Sequence, residues 1–313
     1  MQKRQENISN LIFYTKEGSF EKVQTLLKKD CKTIDYLDDE GYTALIIASK
    51  NNNKDIVELL LEYKAYVNSS NKNGSTALIF ASENGNKDIV ELLLKHKADV
   101  DYLNDFETTA FMFAFEKRNK DIVELLLEHK ADVNYSKKNG DTALMFASNH
   151  GDKDIVKLLL EYKANVNSSK ENGDTALILA SNNGNKDIIE LLLEHKADVN
   201  SSNKKGNTAL TIASDRGDKD IVALLLEYKA DVNSSTNNGN TALIIASDRG
   251  HKDVVALLLE YKADVNFTSN FKNTALMVAS NRGHKDIVVL LLEYKADVNS
   301  SNNNGVTTQP HQI

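Results

Sequence analysis

A Thr-Ala dipeptide recurs every 33 residues along this chain of 313 residues, with no insertion or deletion between its copies. Eight repeats of 33 residues account for 264 residues, most of the chain. A unit this small cannot bury its apolar face alone, so the period predicts a stack of repeats in which each packs on its neighbours. The dipeptide begins at Thr43, Thr76, Thr109, Thr142, Thr175, Thr208, Thr241 and Thr274.

The sequence of one repeat predicts two helices followed by a turn. In the second repeat, Thr76 is suited to cap a first helix over residues 77–84, with Phe80 on its buried side. Gly85 ends this helix because glycine accepts left-handed backbone angles, and a second helix follows over residues 87–96. A polar stretch with an Asn-Gly pair then predicts a turn that projects from the helix pair.

Four short motifs recur within each period: Gly-x-Thr-x-Leu, Ala-Ser, Gly-x-x-x-Ile-Val and Leu-Leu-x-x-x-Ala-Asp-Val-Asn. Together with the 33-residue spacing, they resemble the ankyrin repeat family. The resemblance implies an all-α repeat solenoid of stacked helix-turn-helix units with projecting β-hairpin loops. It also implies a protein without catalytic residues that binds other proteins through its hairpin tips and concave helix face.

Two departures from the family pattern occur in every repeat. The family's Thr-Pro-Leu-His reads Thr-Ala-Leu followed by an apolar or Thr residue in most repeats, so the stiff proline at the start of the first helix is missing. The family's glycine after the second helix is lysine, and a lysine forced to positive φ costs about 1–2 kcal/mol. These lysines are Lys64, Lys97, Lys130, Lys163, Lys196, Lys229, Lys262 and Lys295.

The repeat register predicts the boundaries of the segments, and it leaves no room in this sequence for a separate catalytic domain. The expected order is a tail (1–9), a degenerate N-capping repeat (10–38), repeats at 39–68 and 72–101, a divergent repeat at 105–134, repeats at 138–167, 171–200, 204–233, 237–266 and 270–299, and a truncated repeat with a C-terminal tail (300–313).

Composition excludes several partner classes. The formal net charge of −7 argues against a nucleic-acid partner, which requires a clustered positive surface. No apolar run approaches the ~18 residues of a membrane span. The single thiol, Cys31, cannot form a disulfide within the chain, which fits a reducing compartment. We therefore expect a monomer in the cytoplasm, either of the producing cell or of a host cell.

The histidines do not form a pattern typical of a metal site. His96, His129 and His195 share one repeat position, so they lie at least one repeat apart, too far to ligate one ion with bonds near ~2 Å. No glycine-rich phosphate loop and no HExxH motif occur. We expect no enzymatic activity, no metal and no cofactor.

Two hairpin tips depart from the Ser-Ser and Asn-Gly pattern of the other repeats, at residues 102–108 and 267–273. Each has aromatic residues at the same two positions and has lost the turn glycine. Exposed aromatics are typical of protein interfaces, so these rings are candidate partner contacts. Alternatively, they fold back on the neighbouring hairpin. The four residues are Tyr102, Phe106, Phe267 and Phe271.

Three successive repeats carry arginine at the end of the first helix, which lines the groove in the resembled family: Arg216, Arg249 and Arg282. Arginines one repeat apart form a positive row suited to carboxylates of a partner. Alternatively, each arginine pairs with Asp215 or Asp248 of its own or the adjacent repeat.

The third repeat diverges most. It has Phe111, Phe113 and Phe115 in its first helix, and Arg118 where other repeats have glycine. We expect Phe113 in the core. Phe115 replaces a small serine, so it either spreads the stack locally or reaches the groove.

The sequence supports two hypotheses about function. The first is a scaffold or adaptor that binds a partner protein along the hairpin tips and the concave face. The second is an effector of an intracellular parasite or virus that inhibits or recruits a host enzyme through the same surface. Abundant Asn, Lys and Ile suggest an AT-rich genome, which is compatible with the second hypothesis and with many free-living sources.

Overall fold

A computed structural model describes residues 2–305 and 307, with side chains from residue 9 onwards. This part of the chain consists of helices, turns and isolated β-bridges between hairpin residues. The helices form two compact units, Met1–Lys137 and Lys138–Ile313. Within each unit, helices from successive repeats stack on one another, which confirms the predicted all-α repeat solenoid.

The first unit contains the degenerate repeat and three full repeats. Its α1 begins at Gln2 and therefore crosses the predicted border between a tail (1–9) and the degenerate repeat (10–38). A short 3-10 helix, Cys31–Thr33, follows α2, and Cys31 is exposed. The α-helices are α1 (Gln2–Lys16), α2 (Phe20–Lys29), α3 (Ala44–Lys50), α4 (Lys54–Glu62), α5 (Ala77–Glu83), α6 (Lys87–Lys95), α7 (Ala110–Glu116) and α8 (Lys120–Glu128).

The second unit contains five repeats with the same alternation of a first and a second helix. The first helices of adjacent repeats contact each other, and each also contacts the second helix of its own repeat. The α-helices are α9 (Ala143–His150), α10 (Lys153–Glu161), α11 (Ala176–Asn183), α12 (Lys186–Glu194), α13 (Ala209–Arg216), α14 (Lys219–Glu227), α15 (Ala242–Arg249), α16 (Lys252–Glu260), α17 (Ala275–Arg282) and α18 (Lys285–Glu293).

Threonine caps every first helix, as predicted. In α5 the Thr76 hydroxyl accepts a hydrogen bond from the Ile79 N–H at 3.4 Å, and the equivalent threonine does so in the other seven repeats. The helix is short and almost wholly buried, but Phe80 is half-buried. The expectation that Phe80 lies on the buried side is therefore only partly met; the residues at the equivalent position of three later repeats, Leu179, Ile212 and Ile245, line a groove.

The lysines after the second helices adopt the left-handed backbone that the sequence predicts. Their φ angles lie between 64° at Lys163 and 68° at Lys295. Four more non-glycine residues have positive φ where other repeats have glycine: Asn52 (60°), Glu107 (55°), Arg118 (59°) and Lys272 (58°). Because side chains other than glycine are disfavoured in this region, each of these positions is strained.

Side-chain oxygens join consecutive repeats after the second helices. In the Ala-Asp-Val-Asn motif, Asn68 Oδ1 accepts the Asp99 N–H at 2.8 Å, and Asn200 Oδ1 accepts the Asp231 N–H at 2.8 Å. Aspartate takes the same role at Asp101, which accepts the Asp132 N–H at 3.0 Å. Each bond ties one repeat to the first residues of the next hairpin, so the motif is required by the stack itself.

The hairpin tips are also joined by backbone hydrogen bonds. The Lys204 N–H donates to the Asn172 carbonyl at 2.8 Å, and the Asn270 N–H donates to the Asn238 carbonyl at 3.0 Å. Asn303 makes the same bond to the Phe271 carbonyl at 3.0 Å. The tips in the second unit are therefore fixed relative to their neighbours and present their side chains at regular intervals.

Two phenylalanines of the third repeat form part of the core. Phe111 and Phe115 are each 1% exposed, and their rings stack with centroids 6.4 Å apart. Phe115 therefore does not reach the groove. Phe113 is half-buried rather than in the core, so that expectation is wrong. It occupies the same repeat position as Phe80, which faces the concave surface.

We predict that relieving one strained lysine stabilises the stack. Lys163→Gly removes a lysine whose backbone is held in the left-handed conformation, which should raise the free energy of unfolding by about 1–2 kcal/mol. This gain exceeds the chain-entropy cost of introducing glycine, about 0.5–1 kcal/mol. Lys157→Gly, in the exposed middle of α10, is the matched control and should destabilise by about 1 kcal/mol. Urea unfolding of both variants measures the difference. A loss of stability in Lys163→Gly would contradict the argument.

We predict that the third repeat opens more readily than the repeat before it. Glu107 and Arg118 strain both ends of residues 104–119, whereas the matching residues 71–86 have glycine at both positions. Solenoid stability depends on each repeat and its neighbours, so local strain should raise local opening. Amide hydrogen exchange should be faster across residues 104–119 than across residues 71–86. Equal protection of the two segments would show that the strain is compensated elsewhere.

Candidate protein-binding groove and hairpin tips

A groove of about 750 Å³ runs along the second unit between the hairpin loops and the first helices. Its floor contains Leu179, Ile212 and Ile245, one from each of α11, α13 and α15. Polar residues of three hairpins, among them Lys205 and Asn238, form the opposite wall. The groove thus combines an apolar floor with a polar rim, an arrangement suited to a protein segment.

The floor residues occupy the fourth position after the capping threonine, and every full repeat has an apolar residue there. We call this set the concave stripe. Sequence reasoning missed it because these residues read as core: Ile47 and Leu179 are buried, and the other six are half-buried. The stripe consists of Ile47, Phe80 and Phe113 in the first unit, and of Phe146, Leu179, Ile212, Ile245 and Val278 in the second.

The stripe of the first unit is rich in aromatic contacts. The rings of Tyr42 and Phe80 have centroids 5.8 Å apart. Lys50 places its ammonium 5.2 Å from the Tyr42 centroid and 5.3 Å from the Phe80 centroid. A cation over ring faces is attracted by their negative charge density, so Lys50 covers part of this aromatic surface.

The four candidate tip aromatics fall into two groups. Phe106 is 72% exposed and Phe271 is 62% exposed, so neither ring folds back on a neighbouring hairpin. Tyr102 is half-buried, and its hydroxyl donates to Ser70 Oγ of the preceding hairpin at 3.3 Å. Phe267 is also half-buried. Phe106 and Phe271 are therefore the two rings available to a partner.

Phe106 and Phe271 occupy the hairpin position that lines the groove in other repeats. Asn172, Lys205 and Asn238 hold this position in the second unit, and all three line the groove. Each of the two phenylalanines therefore places apolar surface where the second unit's groove has a polar residue, one in each unit.

The three arginines are paired with aspartates. Arg249 Nε lies 2.7 Å from Asp215 Oδ1 of the preceding repeat. Arg282 Nε lies 2.8 Å from Asp248 Oδ1 in the same way. These two pairs follow the alternative that the sequence left open, so the arginines do not form an uncompensated positive row.

Arg216 differs from the other two arginines. Its Nε lies 2.6 Å from Asp218 Oδ2 of its own repeat, and its Nη1 donates to the Asn182 carbonyl at 2.8 Å. The sequence offered Asp215 or Asp248 as the partner of each arginine, but Asp215 pairs with Arg249 and not with Arg216. Of the three arginines, Arg216 lines the groove.

Hydrogen bonds to aspartate raise the pKa of two of these arginines. Asp215 raises the pKa of Arg249 mainly by its side-chain hydrogen bond and then by its charge. Asp248 raises the pKa of Arg282 by the same two effects. Arginine is charged at all physiological pH values, so both ion pairs persist across that range.

Five of the described histidines lie within hydrogen-bond distance of a backbone carbonyl: His129, His150, His195, His251 and His284. Nε2 of His251 lies 3.0 Å from the Asp215 carbonyl oxygen, and Nε2 of His284 lies 3.2 Å from that of Asp248. His129 and His195 each place Nδ1 2.9 Å from a carbonyl four residues earlier. Among the described residues, no cluster of three or more His, Cys, Asp or Glu side chains is arranged to hold a metal ion.

None of the helices between residues 2 and 305 is both long and apolar enough to cross a membrane. A comparison with curated protein sequences finds no significant match. A protein-family model described as "Ankyrin repeats (3 copies)" matches overlapping segments that together span most of the chain: residues 11–104, 52–137, 96–170, 131–203, 164–236, 196–269 and 230–302. The stacked helix pairs, the projecting hairpins and this match together show that the chain belongs to the ankyrin repeat family.

Proposed function

We propose that this protein is a non-enzymatic scaffold or adaptor that binds a partner protein through its concave stripe and hairpin tips. Ankyrin repeats are generally modules of protein–protein interaction. The observation that carries the proposal is the exposure of Phe106 and Phe271 at a groove-lining position. The matching position holds asparagine or lysine in other repeats, so the fold itself does not require a ring there.

Exposed aromatic rings are unfavourable unless something covers them. A ring that is more than half exposed leaves apolar surface in water, and covering it gains roughly 25 cal/mol per Å². Phenylalanine brings this area with little side-chain entropy to lose on binding. Each ring is therefore suited to anchor a partner that also covers the stripe of its own unit.

The arginine pairs supply a second kind of contact. Arg249 and Arg282 remain exposed although each holds an aspartate. Surface ion pairs contribute only about 0–1 kcal/mol, so a carboxylate of the partner can compete for the guanidinium at little cost. We therefore include these two arginines, with Arg216, in the proposed contact surface.

The second candidate is an effector that binds a host enzyme through the same surface. The abundance of asparagine, lysine and isoleucine favours a source with an AT-rich genome, which includes many intracellular parasites and viruses. The two candidates differ in the source of the partner. An adaptor should capture its partner from an extract of the producing organism, whereas an effector should capture its partner from a host extract. In either case we propose a monomer that acts in a cytoplasm.

We predict that the tip phenylalanines are required for binding and not for folding. Phe106→Ser with Phe271→Ser should change stability by less than about 0.5 kcal/mol and weaken partner binding by about 2 kcal/mol or more per ring if the rings are hot spots. Immobilised protein captures the partner, mass spectrometry identifies it, and a titration measures its affinity.

Tyr66→Asp is the matched control for the phenylalanine variants. Tyr66 is 61% exposed and replaces the aspartate that most other repeats have at that position, away from the groove-lining residues. Partner affinity should be unchanged in this variant. If the phenylalanine variants lower the melting temperature while affinity holds, the rings are structural and the partner binds elsewhere.

We predict a separate effect of the arginines on salt dependence. Replacing Arg216, Arg249 and Arg282 with the asparagine of earlier repeats should reduce the slope of partner affinity against salt, because screening acts on charges and not on the rings. Loss of the surface ion pairs should cost about 0–1 kcal/mol each in stability. Affinity measured between low and high salt tests this. An unchanged slope would remove the arginines from the contact surface.

A further inference from the structure

The groove of the second unit has cations without partners and carboxylates that already have them. Lys204 and Lys205 are exposed at the tip of the middle hairpin, and neither ammonium forms an ion pair with any residue that the structure describes. Asp215 is held by Arg249 at 2.7 Å. Asp174 accepts hydrogen bonds from the Asn172 and Asn203 amides at 2.8 Å each. The hydrogen bonds to Asp174 come from neutral amides and leave its charge in place. The lining nevertheless carries a net positive charge, because its three cations, Lys204, Lys205 and Arg216, outnumber its two carboxylates, Asp174 and Asp215.

Unpartnered amides lie between the lysines and the apolar floor. Asn207 and Asn240 occupy the same position in consecutive repeats, and both line the groove. Their backbone N–H groups bond within their own hairpins, to Asn203 Oδ1 and Thr236 Oγ1. Their side-chain amides have no hydrogen-bond partner among the described residues. An amide offers both a donor and an acceptor, which a peptide backbone can satisfy.

The spacing of the repeats matches an extended chain. Packed helices lie about 8–10 Å apart. A chain in the extended polyproline II conformation has three residues per turn and rises about 3.1 Å per residue, so every third side chain lies on the same face. Three residues of such a segment therefore span about one repeat. A segment that runs along the groove can place one apolar side chain on each floor residue and one backbone group at each asparagine.

We infer that this groove binds an extended acidic peptide segment of the partner. Its carboxylates pair with Lys204 and Lys205, its apolar residues lie on Leu179, Ile212 and Ile245, and its backbone bonds to Asn207 and Asn240. A basic segment is disfavoured because the groove lining carries a net positive charge and Asp215 is already paired with Arg249. The inference rests on the proposed function, since it assigns the partner's chemistry at the same concave surface.

The test uses three labelled peptides that follow the three-residue period: (Glu-Leu-Ser)₃, (Gln-Leu-Ser)₃ and (Lys-Leu-Ser)₃. Fluorescence anisotropy with the full chain measures their affinities. We expect the acidic peptide to bind at least about tenfold more tightly than the neutral one, with the basic one weakest, because charge-assisted hydrogen bonds are the strong ones. The side-chain amide signals of Asn207 and Asn240 should shift in NMR spectra when the acidic peptide is added.

Two variants locate the charge contact. Lys204→Asn with Lys205→Asn gives the middle hairpin the residues of the next one, Asn237 and Asn238, so the fold should be retained in a thermal melt. This variant should abolish the preference for the acidic peptide. Lys72→Asn is the matched control, because Lys72 holds the position of Lys204 in the first unit. It should leave the preference unchanged.

Three results would overturn the inference: equal affinity for the acidic and basic peptides, an acidic preference that survives the double lysine variant, or no binding of any peptide at millimolar concentration. None of these results touches the proposed function, which is decided by the phenylalanine variants and the captured partner. Conversely, the peptide can bind as inferred while the phenylalanine variants leave partner affinity unchanged. The two proposals therefore fail separately.

Discussion

The stack depends on one hydrogen bond that crosses from each repeat to the next. The side-chain oxygen of the Asn in Ala-Asp-Val-Asn accepts a backbone N–H of the following repeat, as at Asn68 and Asn200. These bonds are exposed, and an ordinary hydrogen bond contributes about 0.5–1.5 kcal/mol net, so the main effect of this one is to fix the register of each hairpin. Asp101 forms the same bond through a carboxylate oxygen. The position therefore requires a hydrogen-bond acceptor but not an amide.

This scaffold separates the residues that the fold needs from those that it does not. Caps, core residues and inter-repeat acceptors are the same in nearly every copy, so a departure at an exposed position points to another role. Phe106 and Phe271 are such departures, and their rings lie in solvent. Phe111 and Phe115 are also departures, but their stacked rings fill the core. The contrast shows that a departure indicates function only when its surroundings leave the side chain exposed.

The groove acquires its chemistry from small differences between hairpins. The backbone bonds between tips hold the side chains at a spacing near that of the packed helices. One hairpin therefore places Lys204 and Lys205 opposite an apolar floor, while the same two positions hold Glu171 and Asn172 in the preceding hairpin and Asn237 and Asn238 in the following one. Ion pairs along the ends of the first helices neutralise other charges, as Arg249 does for Asp215. The polar groups that are left without partners therefore differ from one hairpin to the next.

The sequence by itself determined the period, the threonine caps, the helix ends and the left-handed lysines, because these follow from local backbone preferences that repeat eight times. Tertiary structure decided that Phe113 is only half-buried and that Arg216 pairs with Asp218. It also decided that Tyr102 bonds to Ser70 of the preceding hairpin while Phe106 stays exposed. Most of these outcomes depend on contacts between residues about one repeat apart. A period fixes which positions face each other, but side-chain geometry decides which groups bond and which remain available to a partner.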